Sequence, residues 1–354
     1  MFRTPSTRSP RVHGRIPLSP DFIGIGAQKA GTTWLHRNLS VHPQIFMPRK
    51  EVHYFDRKVD DRSNAISRLL GKRPSDEQWR RQTKHWLGLH ARTLSLRELL
   101  WDLNYYMRTY DDDWYASVFE PVQGRVTGEI TPAYSALDKG RVARVHRLAP
   151  DAKIIFMMRN PIERLWSQAV MSFDKVERGS AGSASEKKLL RRVGRASFQS
   201  LTDYLRTLDT WRLFYPEERI FVGFLEDIHF FPEDFLQTVF GFLDVDPSFR
   251  PPEPERKVHT RSENSMPGGV AIQLAQNYRR QMERFEEHFG GYASFWRFCA
   301  ERLVADPPAV GRIAYPLWDS HLWEEWTGSP DAEVRRPRFQ SGPLSSTELT
   351  RRGE

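Results

Sequence analysis

The clearest pattern begins at Asp21. Phe22-Ile23-Gly24-Ile25-Gly26 is a short apolar run of the kind found in buried strands. A glycine-containing turn follows, and Thr33 to Leu39 then places its apolar residues at helical spacing, with His42-Pro43 closing the helix. The same alternation recurs downstream. Arg125 to Glu129 predicts a strand ending before Thr131-Pro132, and Lys139 to Leu148 a helix. Lys153 to Met158 is continuously apolar, as a central parallel strand should be, and stops at Arg159-Asn160-Pro161 before a helix over Ile162 to Phe173. Helices are predicted at Glu186–Val193, Phe198–Phe214, Phe235–Leu243 and Ala271–Phe289, with a strand at Arg219–Phe224. Strands that alternate with helices predict an α/β fold, a doubly wound, mostly parallel sheet flanked by helices.

The pattern also divides the chain. Residues 1–18 read as a flexible basic arm, 19–305 as the main domain with a polar, helix-leaning insertion over 56–123, and 306–354 as an irregular Pro-rich segment. The insertion and the small-residue loop Ser180 to Ser185 are expected to shape a pocket.

In such sheets ligands lie at the carboxyl ends of the strands, where Lys29, Glu129 and Arg159 fall. Gly26-Ala27-Gln28-Lys29-Ala30-Gly31-Thr32-Thr33 joins the first strand to its helix. Its glycines let backbone N–H groups approach an anion, the helix start adds partial positive charge, Lys29 adds a full one, and the threonines add hydroxyls. A tight turn with a surface lysine would leave the same trace. The loop is not the nucleoside-triphosphate pattern, in which lysine follows the second glycine; here Lys29 precedes Gly31. The strongest strand ends in Arg159, not in a metal-binding acid, and Ser167 lies about two helical turns on. A guanidinium and a hydroxyl on one helix face suit a phosphate monoester. An Arg159–Glu163 ion pair and an ordinary helix serine are the alternative.

Four ordered segments, Gly26 to Trp34, Lys50 to Asp56, Gly128 to Tyr134 and Arg159 to Ser167, resemble the motifs of sulfotransferases that use 3′-phosphoadenosine 5′-phosphosulfate (PAPS), closest to the bacterial and heparan-sulfate-type branch. The resemblance spans most of Asp21 to Phe289. It implies a P-loop-like 5′-phosphosulfate loop in which Gly26, Gln28, Lys29, Ala30, Gly31, Thr32, Thr33 and Trp34 hold the donor, with Arg159 and Ser167 on its 3′-phosphate. Lys257, in the basic run Arg256 to Arg261, is the candidate for closing over the nucleotide. It further implies sulfuryl transfer to a hydroxyl or amine of a carbohydrate, lipid or secondary metabolite, without a metal. Lys29 is expected to stabilise the leaving phosphate, and Glu51 or its rival His53 to take the acceptor proton. An extended segment would point Glu51 and His53 the same way, and the apolar neighbours Val52, Tyr54 and Phe55 would raise the Glu51 pKa by desolvation. Glu129 has a supporting role. Ile130 departs from glycan-acting relatives that carry lysine there, which argues against heparan-like acceptors.

Composition adds limits. The net charge of +8 suits an anionic ligand without choosing one. The single cysteine, Cys299, allows neither an intrachain disulfide nor a thiolate zinc site and fits a reducing compartment. No apolar stretch is long enough for a membrane span, and the N-terminal residues have no apolar core of a secretory signal, so a cytoplasmic enzyme is expected. A P-loop kinase or nucleotidase is the alternative enzyme; a nucleic-acid-binding protein is the alternative outside enzymes, although no nucleic-acid motif is present.

Overall fold

The computed structural model describes residues 19–57, 64–92, 95–119, 125–176, 185–255, 264–307, 311–329 and 332. In chain order its elements are β1 (Phe22–Gly26), α1 (Thr32–Ser40), β2 (Ile45–Phe46), α2 (Ala65–Leu70), α3 (Pro74–Arg92), α4 (Leu96–Met107), α5 (Asp112–Ser117), β3 (Val126–Ile130), α6 (Lys139–Leu148), β4 (Lys153–Met158) and α7 (Pro161–Val176). There follow α8 (Glu186–Val193), α9 (Ala196–Gln199), α10 (Tyr204–Arg212), β5 (Ile220–Phe224), α11 (Leu225–Phe230), α12 (Pro232–Phe242), β6 (Ser265–Pro267), α13 (Gly268–Phe289), α14 (Tyr292–Ala305), β7 (Arg312–Ala314) and α15 (His321–Thr327).

The fold is α/β, as the alternation predicts. Five strands form one sheet in the order β2-β3-β1-β4-β5, and every pairing is parallel. β1 and β4 are buried because helices cover both faces; Phe22, Ile23, Ile25 and Ile154 to Met158 have no solvent exposure. The chain leaves β1 toward β2 on one side and leaves β4 toward β5 on the other, so the direction of winding reverses between β1 and β4. The crevice at that reversal is where doubly wound sheets bind ligands.

Two compact units are present, one comprising Pro20–Asp61 with Val122–Glu354 and the other including Arg62–Pro121. The second contains α2 to α5. Its centre is aromatic: Trp114 and Tyr106 are buried, and the Arg68 guanidinium lies 3.9 Å from the Tyr110 ring centroid and 4.9 Å from that of Trp79.

The helix expected over Phe198–Phe214 is two helices. Ser200–Thr202 forms a 3-10 turn and the Asp203 side chain caps α10, since short polar side chains compete with the helical backbone. The reading of everything beyond Asp306 as irregular is corrected over residues 311–329. There β7 pairs antiparallel with β6, and α15 packs Trp326 against Phe295. Three-residue strands are too short to show a period, and tertiary pairing forms them. Residues 1–18, Ser180 to Ala184 of the small-residue loop, and Lys257 with the rest of Arg256 to Arg261 lie outside the described residues.

Candidate active site

The loop after β1 is shaped by backbone geometry. Gly26 has φ +141°, and a Cβ there would sit 2.8 Å from the Pro132 carbonyl oxygen. Gly31 caps α1 at φ 86°, where a Cβ would meet Ile228 at 2.7 Å. Between them Lys29 is left-handed, with φ 74°. No side chain caps α1, so its first N–H groups open toward the loop side. Thr32 is buried and Thr33 half-buried. The Trp34 side chain turns inward: its indole N–H donates to the Pro254 carbonyl at 2.7 Å and its ring packs on Phe235.

Arg159 ends β4, beside the β1 loop. Its Nη1 donates to the Lys29 carbonyl at 3.3 Å, which brings two sequence-selected residues together. Arg164 donates to the Gln28 carbonyl at 3.5 Å. Arg159 precedes the helix, so the shared face with Ser167, which needs a helix beginning at Arg159, does not form. Helix α7 starts at Pro161, and the Asn160 side chain accepts the Ile162 N–H at 3.0 Å. Ser167 lies on α7 and is buried. The Arg159–Glu163 pair exists: Glu163 Oε2 accepts from Nε at 2.9 Å and from Nη2 at 2.7 Å. Burial works against the Arg159 cation, but Tyr315 and Glu163 outweigh it and hold the pKa above its ordinary value. Asn160 Nδ2, also buried, has no hydrogen-bond partner.

On the other side of β1, the segment after β2 continues along the end of β3. The Glu51 N–H donates to the Ile130 carbonyl at 3.2 Å. The segment is not extended: Glu51 and His53 both have positive φ, 65° and 55°. Their side chains meet nonetheless, His53 Nε2 lying 3.1 Å from Glu51 Oε2, while Nδ1 lies 2.8 Å from Asp56 Oδ2. Lys50 Nζ lies 2.5 Å from Glu51 Oε1. The expected rise of the Glu51 pKa is reversed. Desolvation does push it up, but the His53 hydrogen bond and Lys50 bring it down to about 2. Desolvation lowers His53 as well, and hydrogen bonds to Asp56 and Glu51 raise it to about 9. The sequence pattern alone does not mark Asp56; its spacing of three from His53 is the one signal that points to it.

Glu129 is buried at the end of β3 and accepts from the hydroxyls of Thr131 at 2.8 Å and Tyr134 at 3.3 Å. The Tyr134 hydroxyl accepts the Tyr54 N–H at 2.9 Å. Glu129 therefore supports the Glu51–Asp56 segment through Tyr134. Ile130 fills the space left by the missing side chain of Gly24 and belongs to the core.

Among the described residues no group of three or more His, Cys, Asp or Glu side chains could hold a metal ion, and no helix is long and apolar enough to cross a membrane.

The family model described as "Sulfotransferase family" matches residues 20–249 of the 354-residue chain. That span contains β1, its loop, the Glu51 segment and Arg159, and the chain belongs to the sulfotransferase family. It is 24% identical over 203 residues to heparan sulfate glucosamine 3-O-sulfotransferase 6 of Mus musculus, covering 56% of this chain and 44% of that protein. It is 28% identical over 179 residues to carbohydrate sulfotransferase 15 of Mus musculus, covering 44% of this chain and 28% of that protein. The chain thus spans less than half the length of these curated relatives. A crystal structure of a sulfotransferase from Alicyclobacillus acidocaldarius shares the fold, with 24% identity and a TM-score of 0.53, covering 78% of this chain and 98% of that one.

Proposed function

We propose that this sulfotransferase takes its sulfuryl group from PAPS and passes it to a hydroxyl or amine of a small-molecule or glycan acceptor by in-line transfer. The observation that carries this reading is the meeting of Lys29 and Arg159 at the reversal of the sheet, Arg159 Nη1 lying 3.3 Å from the Lys29 carbonyl. PAPS has an anion at each end of its ribose. In this reading the 5′-phosphosulfate takes the loop Gly26 to Thr33, with Lys29 and the open start of α1 facing it, and the 3′-phosphate takes Arg159 and Ser167. The orphaned amide of buried Asn160 supplies a further donor next in the chain to Arg159.

Transfer breaks the bond between sulfur and the bridging oxygen of the phosphate and forms one between sulfur and the acceptor oxygen or nitrogen. Negative charge grows on the departing phosphate, where Lys29 and the loop N–H groups lower its energy. The acceptor loses one proton. Both nitrogens of His53 face carboxylates, so Glu51 is the group left to receive that proton, and His53 with Asp56 orients it. Glu51 with a pKa of about 2 is a weak base. A loose transition state, in which the acceptor proton leaves late, asks little of it. The chain's similarity to a heparan sulfate glucosamine 3-O-sulfotransferase and to a carbohydrate sulfotransferase favours a carbohydrate acceptor. Buried Ile130 offers no charge to an acidic one.

Calorimetric titration tests the donor. Adenosine 3′,5′-bisphosphate should bind without metal and more tightly than ATP with Mg²⁺. Tighter ATP binding accompanied by phosphate transfer would replace this reading with a kinase.

A further inference from the structure

A third stretch of chain reaches Arg159 from the far end of the sequence. Strands β6 and β7 pair Ser265 with Ala314, Met266 with Ile313 and Pro267 with Arg312, and the Tyr315 N–H extends the ladder to the Asn264 carbonyl at 3.0 Å. Immediately beyond, Arg159 Nη2 donates to the Tyr315 hydroxyl at 2.9 Å, with the guanidinium carbon 5.2 Å from the ring centroid. Two residues on, the Leu317 N–H donates to Glu163 Oε1 at 2.6 Å. Both oxygens of Glu163 are thereby used, one on Arg159 and one on the strap, and Glu163 is wholly buried. Each end of the strap is anchored. The β6–β7 pair holds one, and at the other Trp318 stacks on His229 at 4.7 Å and Ser320 caps α15.

The donors of Arg159 can be assigned one by one. A guanidinium has five N–H bonds. Nε and one N–H of Nη2 donate to Glu163 and fill that edge, and the second N–H of Nη2 donates to Tyr315. Nη1 faces the β1 loop and donates to the Lys29 carbonyl, which leaves one N–H on Nη1. The strap and the loop therefore hold different nitrogens of the guanidinium, Nη2 and Nη1. A phosphate that takes the remaining Nη1 N–H leaves the Nη2 bond to Tyr315 in place. It meets an arginine whose other edge is already held, and ordering of a long side chain before binding removes a cost that binding would otherwise carry.

We propose that Tyr315–Leu317 is a positioning strap for the nucleotide: the Tyr315 hydroxyl, together with Glu163, sets Arg159 so that its remaining Nη1 N–H meets the 3′-phosphate. This rests on the reading of Arg159 as the 3′-phosphate ligand. Tyr315 is then a determinant of 3′-phosphate selectivity that does not touch the phosphate.

The test compares calorimetric dissociation constants for adenosine 3′,5′-bisphosphate and adenosine 5′-monophosphate in the wild type and in Tyr315→Phe. The wild type should prefer the bisphosphate. In the variant that preference should fall about three- to tenfold, the range for one lost hydrogen bond, with monophosphate affinity unchanged. A general loss of structure would weaken both ligands together. An unchanged preference in Tyr315→Phe overturns the strap and leaves the role of Arg159 standing. A wild type that does not discriminate between the ligands overturns the Arg159 reading itself, and the strap with it. If Tyr315→Phe does not fold, Tyr315→Leu, which also removes the ring, is read by the same ratio.

Discussion

On the β4 side of the central strand, the Arg159 side chain is 8% exposed and that of its partner Glu163 is fully buried, whereas on the β3 side the Glu51 and His53 side chains keep 35% and 40% of their surface in solvent. The first pair sits at the start of a sixteen-residue helix and is held by regular elements. The second sits on an irregular segment with two left-handed non-glycine residues, each costing on the order of 1–3 kcal/mol, which surrounding bonds must offset. Those bonds come from side chains near and far along the chain: Arg57 donates to the His53 carbonyl, the Tyr54 N–H donates to the Tyr134 hydroxyl, and Arg144 donates to the Tyr54 hydroxyl. A ligand that keeps one geometry suits the buried flank. A proton that must move suits the half-exposed one, where water and charge still reach the groups. On the proposed reading, binding and proton transfer fall on different flanks, and mutations should separate them.

The largest effect should come from Lys29, between the flanks. Lys29→Ala is expected to lower turnover about 100- to 1,000-fold, the usual loss for a group that stabilises transition-state charge, as measured with labelled donor. Near-normal turnover would remove the loop from the chemistry. Glu51→Gln should cost about 100-fold or more in kcat while adenosine 3′,5′-bisphosphate affinity stays within about twofold. His53→Gln should cost less, because it orients the base; the reverse ranking makes His53 the base. Glu163→Ala tests the buried flank through stability. Leaving Arg159 buried and unpaired should destabilise the fold by about 3 kcal/mol, visible in denaturant melts. Asp56→Asn on the exposed flank should change stability much less, and equal losses would break the comparison.

The smallest effect is a pH dependence. His53, raised from 6.5 to about 9, stabilises the fold fully below pH 6.5, and this contribution is lost as pH rises through 9. Glu51, lowered from 4.5 to about 2, stabilises above pH 4.5, and that is lost as pH falls through 2. The difference in melting temperature between wild type and His53→Gln should therefore be widest near pH 5 to 6 and close through pH 9. A gap independent of pH would mean that His53 is not a cation in the folded protein.

Much of the buried flank was legible beforehand. Strands β1 and β4 are short apolar runs between breakers, and the residues that follow them, Lys29 and Arg159, announce themselves by charge. The helix start was legible too: the helix expected after Arg159-Asn160-Pro161 begins at Pro161, with Asn160 accepting the Ile162 N–H. The exposed flank was legible only in part. Val52, Tyr54 and Phe55 read as a desolvating wall, and they are buried, yet the charges of Lys50 and His53 decide the Glu51 pKa. Such a balance depends on distances of a few ångströms, which spacing along a chain does not contain. The segment around Tyr315 carried no signal, because short strands and a proline-containing turn have no period.

The amino-acid sequence by itself determined the α/β alternation, the parallel sheet, the loop with Lys29 between two glycines, and the segments that resemble sulfotransferases, since each follows from local pattern, backbone freedom or motif. Only the tertiary structure decided which N–H of Arg159 is left over, that Asp56 stands behind His53, and that Tyr315 and Leu317 return to Arg159 and Glu163 across about 150 residues of chain. Contacts of that kind arise from how elements pack, and the residues on each side look ordinary until they meet.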